Sequence, residues 1–102
     1  MAFPYRLHEA AHSEFIDAFE WYEVRQEGLG HRFMENVENR FRQISLHPEY
    51  YGKHHKNYRQ VKVEEFPYMI VYEFFPRKKV VHITAIYHSK RKPKGRYRRI
   101  RG

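Results

Sequence analysis

Cysteine is absent from this chain. No disulfide framework, thiolate-bound zinc or cysteine nucleophile is therefore available. Long apolar runs are absent too. The longest, Phe66 to Phe75, contains Pro67 and Glu73 and falls well short of the roughly 20 residues a membrane-spanning helix needs. The stretch Met1-Ala2-Phe3-Pro4-Tyr5-Arg6 has no apolar segment of the secretory kind. A cytoplasmic protein without membrane association is expected. Glycine and proline are sparse, five of each, and no low-complexity linker or internal repeat divides the 102 residues, a length that suits one compact domain. Acid is scarce in the second half. Residues 51–102 hold three acids against fifteen Lys and Arg, whereas residues 1–50 hold nine against five. The halves thus carry −4 and +12 in a chain of net +8. So basic a half implies a polyanionic partner, with nucleic acid the leading reading over an anionic membrane or an acidic protein.

What is abundant is aromatic area. Nine Tyr and eight Phe let few residues bury a large surface. Phe3 to Leu7 reads as a short strand. From Glu9 the period becomes helical: Ala11, Phe15, Ala18, Phe19 and Tyr22 share one face, with Glu14, Asp17, Glu20 and Glu23 between them. Gly28-Leu29-Gly30 stops this helix. A second helix carries Phe33, Val37, Phe41 and Ile44 on one face and ends at Pro48. Two helices joined this closely form an antiparallel hairpin.

Three strands follow. Tyr58 to Glu64 alternates, with Val61 and Val63 on one side. Tyr68 to Phe75 is apolar on both faces, as a central strand is. Val80 to His88 has Val81, Ile83, Ala85 and Tyr87 on one parity and His82, Thr84, Ile86 and His88 on the other. Short turns make these an antiparallel meander. The expected order is β-α-α-β-β-β, an α+β domain with the helix hairpin on one face of a small, largely antiparallel sheet. The domain spans 1–88, and 89–102 is a basic tail with eight cations and no acid.

The helix-free sheet face lies beside that tail, with Arg59, Lys62, His82, His88 and Arg91 near it or at its rim. Arg59 shares parity with Val61 and Val63, so it is placed at the strand's start, reaching round the edge. If RNA is the substrate, cleavage by the adjacent 2′-hydroxyl needs a base, cations for the charged phosphorane and an acid for the leaving oxygen. His88 suits proton transfer, since free histidine titrates near neutrality. Arg59 and Arg91 can clamp a phosphate. Tyr97 can stack on a base or donate a proton. Neither metal nor cofactor is required. For His88 a structural role weighs as much as a functional one. His54, His55 and His82 read as solvated or hydrogen-bonded histidines, and Glu64-Glu65 as a solvated hairpin end. Trp21 and Tyr22 read as helix-face packing. Arg98, Arg99 and Arg101 read as general electrostatic contacts.

Trp21-Tyr22-Glu23, Gly28-Leu29-Gly30 and Phe33 are similar to the helix-hairpin signature of the RelE/ParE toxins. His47-Pro48-Glu49-Tyr50, Arg59, and Phe66-Pro67-Tyr68 with Ile70 and Tyr72 resemble that family's strand pattern. Ala85-Ile86-Tyr87-His88-Ser89-Lys90-Arg91-Lys92-Pro93 resembles its ending. The resemblance covers nearly the whole chain and implies the same β-α-α-β-β-β fold. It implies the toxin of a type II toxin–antitoxin (plasmid stabilisation) system, silenced by a cognate antitoxin that orders as it wraps the toxin.

Two targets follow from the resemblance. RelE-like members cut mRNA in the ribosomal A site, whereas ParE-like members inhibit DNA gyrase and are not nucleases. Arg91 with Tyr97 echoes the RelE-like tail. The expectation is accordingly a ribosome-dependent, metal-independent mRNA endoribonuclease that inhibits translation. Its catalytic residues would be His88, Arg59, Arg91 and Tyr97, and Lys62, Lys90, Lys92, Lys94 and Arg96 would bind RNA. The alternative is a ParE-like gyrase inhibitor, favoured by the stretch from Trp21 to Phe33 and the Phe66-Pro67-Tyr68 turn. The second helix lacks a paired-lysine cluster; Arg40 and Arg42 are the cations toward its carboxyl end.

Overall fold

Helix α1 (Glu9–Arg25) starts where His8 turns extended and its Nδ1 accepts the Ala10 N–H at 3.2 Å, satisfying one of the donors a helix start leaves open. It ends at Gln26, and Gly28, in the left-handed region at φ 88°, reverses the chain into helix α2 (Leu29–Leu46). The Glu23 carboxylate receives the N–H groups of both Gly28 and Gly30 at 2.9 Å and so staples the two helices at their junction. Gly30 does not stop a helix. It lies in the first turn of α2, where an added Cβ would sit 2.6 Å from the Phe19 carbonyl oxygen; its lack of a side chain permits the close crossing.

The computed structural model describes residues 2–91, and its strands build one five-stranded sheet in the order β1-β5-β4-β3-β2. These are β1 (Tyr5–Leu7), β2 (Lys53–His55), β3 (Tyr58–Lys62), β4 (Tyr68–Phe75) and β5 (Val80–His88). Strand β1 runs parallel to β5; every other pair is antiparallel. The expected α+β architecture is the one observed, with an added edge strand. Strand β2 is Lys-His-His, exposed throughout, and has no apolar alternation to mark it.

The core lies between the helix hairpin and one sheet face. Ala11, Phe15 and Ala18 of α1 and Phe33, Val37, Phe41 and Ile44 of α2 meet Val61, Ile70, Tyr72, Val81, Ile83 and Ile86. Phe33 packs edge-on against Phe66 and Tyr68, so a single ring joins helix to sheet. Beyond the core, Ser45 donates its hydroxyl to the Phe3 carbonyl while the Phe3 N–H returns to Ser45 at 2.9 Å, fixing the amino-terminal segment to α2.

The parity expected for β5 breaks at one residue. Ile83 pairs with Tyr72 and Ala85 with Val71, leaving Thr84 as a bulge whose hydroxyl donates to the Val71 carbonyl at 3.3 Å. Before Thr84, Val81 and Ile83 face the helices; after it, Ala85 and Tyr87 face away with Tyr58 and Val71, and Ile86 faces the helices. His88 therefore turns toward the helix side, not onto the helix-free face. Among the described residues no helix is long and apolar enough to cross a membrane.

Candidate functional site

At its carboxyl end β5 runs past the reach of β1, which pairs only with Val81–Ile83. Helix α1 fills the gap. The Glu14 carboxylate accepts the Ile86 N–H at 2.9 Å, where a sheet partner would otherwise stand. Between α1 and this strand end opens a cleft of about 360 Å³, lined by Glu14, Asp17, Trp21, Tyr68, His88 and Arg91 among others.

His88 pairs with Tyr68 across β5 and β4, and the rings meet edge-on at 5.3 Å. Its Nδ1 accepts the Lys90 N–H at 3.2 Å, and its carbonyl accepts the Arg91 N–H at 2.8 Å. The turn after β5 thus hangs on His88, and Nε2 is the ring atom left to face a ligand. Ser89 donates to the Pro67 carbonyl at 2.8 Å, tying the same turn to the β3–β4 connection. Burial pushes the Tyr68 hydroxyl above the usual phenol range; Arg91 opposes that shift and Glu14 adds to it. Tyr22, on the cleft's inner wall, is raised likewise by burial and then by Tyr68.

The structure brings His88 and Arg91 together and leaves Arg59 elsewhere. Arg59 pairs with Tyr72, four residues along β4 from Tyr68 and on the strand's other side, a separation of roughly 13 Å along the strand alone. Its guanidinium donates to the carbonyls of Tyr51 at 2.5 Å and Glu49 at 3.4 Å. It does not reach round the strand's edge to the helix-free face: by register it shares the helix side with Val61 and Tyr72, and Lys53 of β2 pairs beside it, so its side chain holds the loop after α2 instead. Lys62 does face the helix-free side by register, yet its ammonium donates to the carbonyls of Val63 and Phe66 at 3.1 and 3.2 Å, closing its own hairpin. Lys90 is exposed in the turn. Lys92, Lys94, Arg96 and Tyr97 lie outside the described residues.

Trp21 departs from its expected packing role. It is half exposed, and the Arg25 guanidinium stacks 3.4 Å from its ring centroid. Glu65 is not merely solvated: it holds Arg32 through two hydrogen bonds, at 2.9 and 2.6 Å. Glu14, Asp17 and Tyr68 join the site from elements far from His88 in sequence. Their only sequence signal is that α1 and the β3–β4 turn must converge on the end of β5. Among the described residues no group of three or more His, Asp or Glu is placed to hold a metal ion.

Two helices packed on one face of a small mixed sheet, with the first strand parallel to the last, define the α+β fold. It is similar to the chromosomal ParDE toxin–antitoxin system of P. aeruginosa, with a TM-score of 0.71 at 12% identity over 85% of this chain and 96% of that one. It is similar also to a free-state arginine-to-alanine double mutant of the E. coli toxin RelE, with a TM-score of 0.61 at 15% identity over 97% and 94%. Among curated protein sequences none matches. Residues 5–93 match the model of the ParE toxin of type II toxin–antitoxin systems, parDE, and the chain belongs to that family. It is thus a toxin of the ParE/RelE kind, whose counterpart is a cognate antitoxin.

Proposed function

We propose that the chain arrests growth as a binding toxin directed at DNA gyrase, without breaking a bond in its target. The observation that carries this reading is the charge of the cleft around His88. Glu14 and Asp17 line the same wall space as Arg91. A phosphodiester approaching a phosphorane needs converging cations, and among the described residues the cleft sets two carboxylates beside one guanidinium, which opposes it. Arg59, the second clamp such chemistry would use, already serves the carbonyls of Tyr51 and Glu49. The family description, a ParE toxin, agrees with the gyrase reading.

One observation favours mRNA cleavage instead: His88, Tyr68 and Arg91 do share the cleft, which offers a proton carrier and a phosphate ligand side by side. The two readings separate in paired assays of the purified chain. One measures gyrase supercoiling of a relaxed plasmid; the other measures primer extension on a reporter mRNA in a purified translation system. The binding reading expects supercoiling to fail while the mRNA stays intact. New 5′ ends that require translating ribosomes, together with normal supercoiling, would overturn it. In that case His88→Ala and Arg91→Ala should each remove the cuts.

A further inference from the structure

At the other end of β5, on the sheet's other face, cations gather. Arg6 of β1 and His82 of β5 are register partners in a parallel pair, so their side chains project to one side. That side faces away from the helices, because the flanking Leu7, Val81 and Ile83 pack in the helix-side core and Tyr5 stacks near Phe41. Lys78, in the β4–β5 turn, and His8, just past β1, complete the group. Burial holds the His82 imidazole below its ordinary range, and Arg6, Lys78 and His8 each push it further down. Glu73, the register partner of His82 on β4, is the acid beside it. Phe75 meets the His82 ring edge-on at 4.9 Å. Arg6 and Lys78 are exposed and make no ion pair among the described residues.

We propose that Arg6, Lys78 and His82 form a patch that grips the phosphate backbone of duplex DNA. Concentrated like charge with Glu73 the one acid beside it among the described residues is unfavourable in the free molecule and is relieved by phosphates. A duplex fits better than a single strand. Single strands are held by aromatic platforms on which bases stack, and this face withholds its tyrosines: Tyr58 is 6% and Tyr87 5% exposed. Backbone contact needs only cations. The patch lies on the opposite face and end from the His88 cleft and holds for a toxin with either target.

Phosphate beside His82 stabilises its imidazolium, which the free protein disfavours. Binding therefore takes up a proton, and affinity rises as pH falls through the ordinary histidine range. The test is fluorescence anisotropy of the full chain with a labelled duplex and with one of its single strands, across a salt series. The duplex should bind more tightly than the strand. Arg6→Gln with Lys78→Gln should lower the slope of log affinity against log salt by about 2. Lys53→Gln with Lys56→Gln removes equal charge from exposed positions around β2 and should leave the slope unchanged. His82→Gln should flatten the pH dependence. Equal losses in the two double variants would reduce the effect to net charge and overturn the patch. Equal binding of single strand and duplex, a pH dependence that survives His82→Gln, or an acidic peptide held in preference to the duplex would overturn it as well.

Discussion

Single residues here hold loops and junctions more than they hold substrate. Arg59 is the clearest case: a cation that reads as a phosphate ligand spends its donors on two backbone carbonyls. Arg59→Ala is expected to free the loop at Glu49–Tyr51 and destabilise the fold. Faster amide exchange there and a lower urea midpoint would check it, and an unchanged midpoint would return Arg59 to the target-binding surface. Tyr72, beside it, is fully buried and donates to the Pro48 carbonyl at 2.7 Å; burial pushes its hydroxyl well above the phenol range. Tyr72→Phe should cost about 1–2 kcal/mol, since a buried acceptor loses its donor.

Glu23 sets a pH limit at the helix junction. The Gly28 N–H above all, then the Gly30 N–H and the neighbouring His31 side chain, holds its carboxyl below the usual carboxylate range. A depressed folded value contributes stability above the unfolded value and loses it as pH falls through the folded one. The gap in thermal midpoint between the native chain and Glu23→Gln should thus be widest near neutral pH and close as pH falls through and below the usual carboxylate range. A gap that persists in acid would assign the junction's strength to Gly30 and the helix contacts alone.

Elements show where pattern reading succeeds and where it stops. Both helices and β3 are legible because one-sided burial imposes a period, and β4 because a central strand covered on both faces is a continuous run of β formers; β5 is legible as a strand, though not in its facing. In α2, Phe33, Val37, Phe41 and Ile44 are all buried. Strand β2 is not legible, because an edge strand exposed on both faces needs no apolar residue. The facing of His88 is not legible either. Thr84 is an ordinary strand residue by composition, and only the pairing of Ile83 and Ala85 with consecutive β4 residues reveals the inserted position. The proximity of His88 and Arg91 is readable from spacing, since a turn links them; the acids of their cleft come from α1 and are not. Deleting Thr84 should test the bulge. It would drive Ala85 and Tyr87 toward the helices and Ile86 away from them, and the expected result is loss of cooperative unfolding by circular dichroism. A deletion variant that melts as sharply as the parent would mean the end of β5 tolerates either facing. Gly30→Ala should cost about 1–3 kcal/mol, as a methyl forced against a backbone carbonyl overpacks the crossing.

At the scale of the molecule, charge and core are organised separately. One apolar core joins the helix hairpin to the sheet, so helical and tertiary signals should disappear in a single transition. Far-ultraviolet circular dichroism and aromatic near-ultraviolet signals with coincident midpoints would confirm it; separate midpoints would mean that the hairpin folds apart from the sheet. The charge, by contrast, divides between an acidic first half and a basic second half. The structure sets the two against each other at the cleft, where Glu14 and Asp17 face Arg91.

Strand β1 is made early and, among the described residues, finds its one sheet partner in β5, with Tyr5 beside Val81. A chain growing from its amino terminus cannot finish this sheet until nearly everything between has been synthesised, and closing so long a loop is slow. The sheet's parallel edge is therefore the last part of the fold that a growing chain can complete.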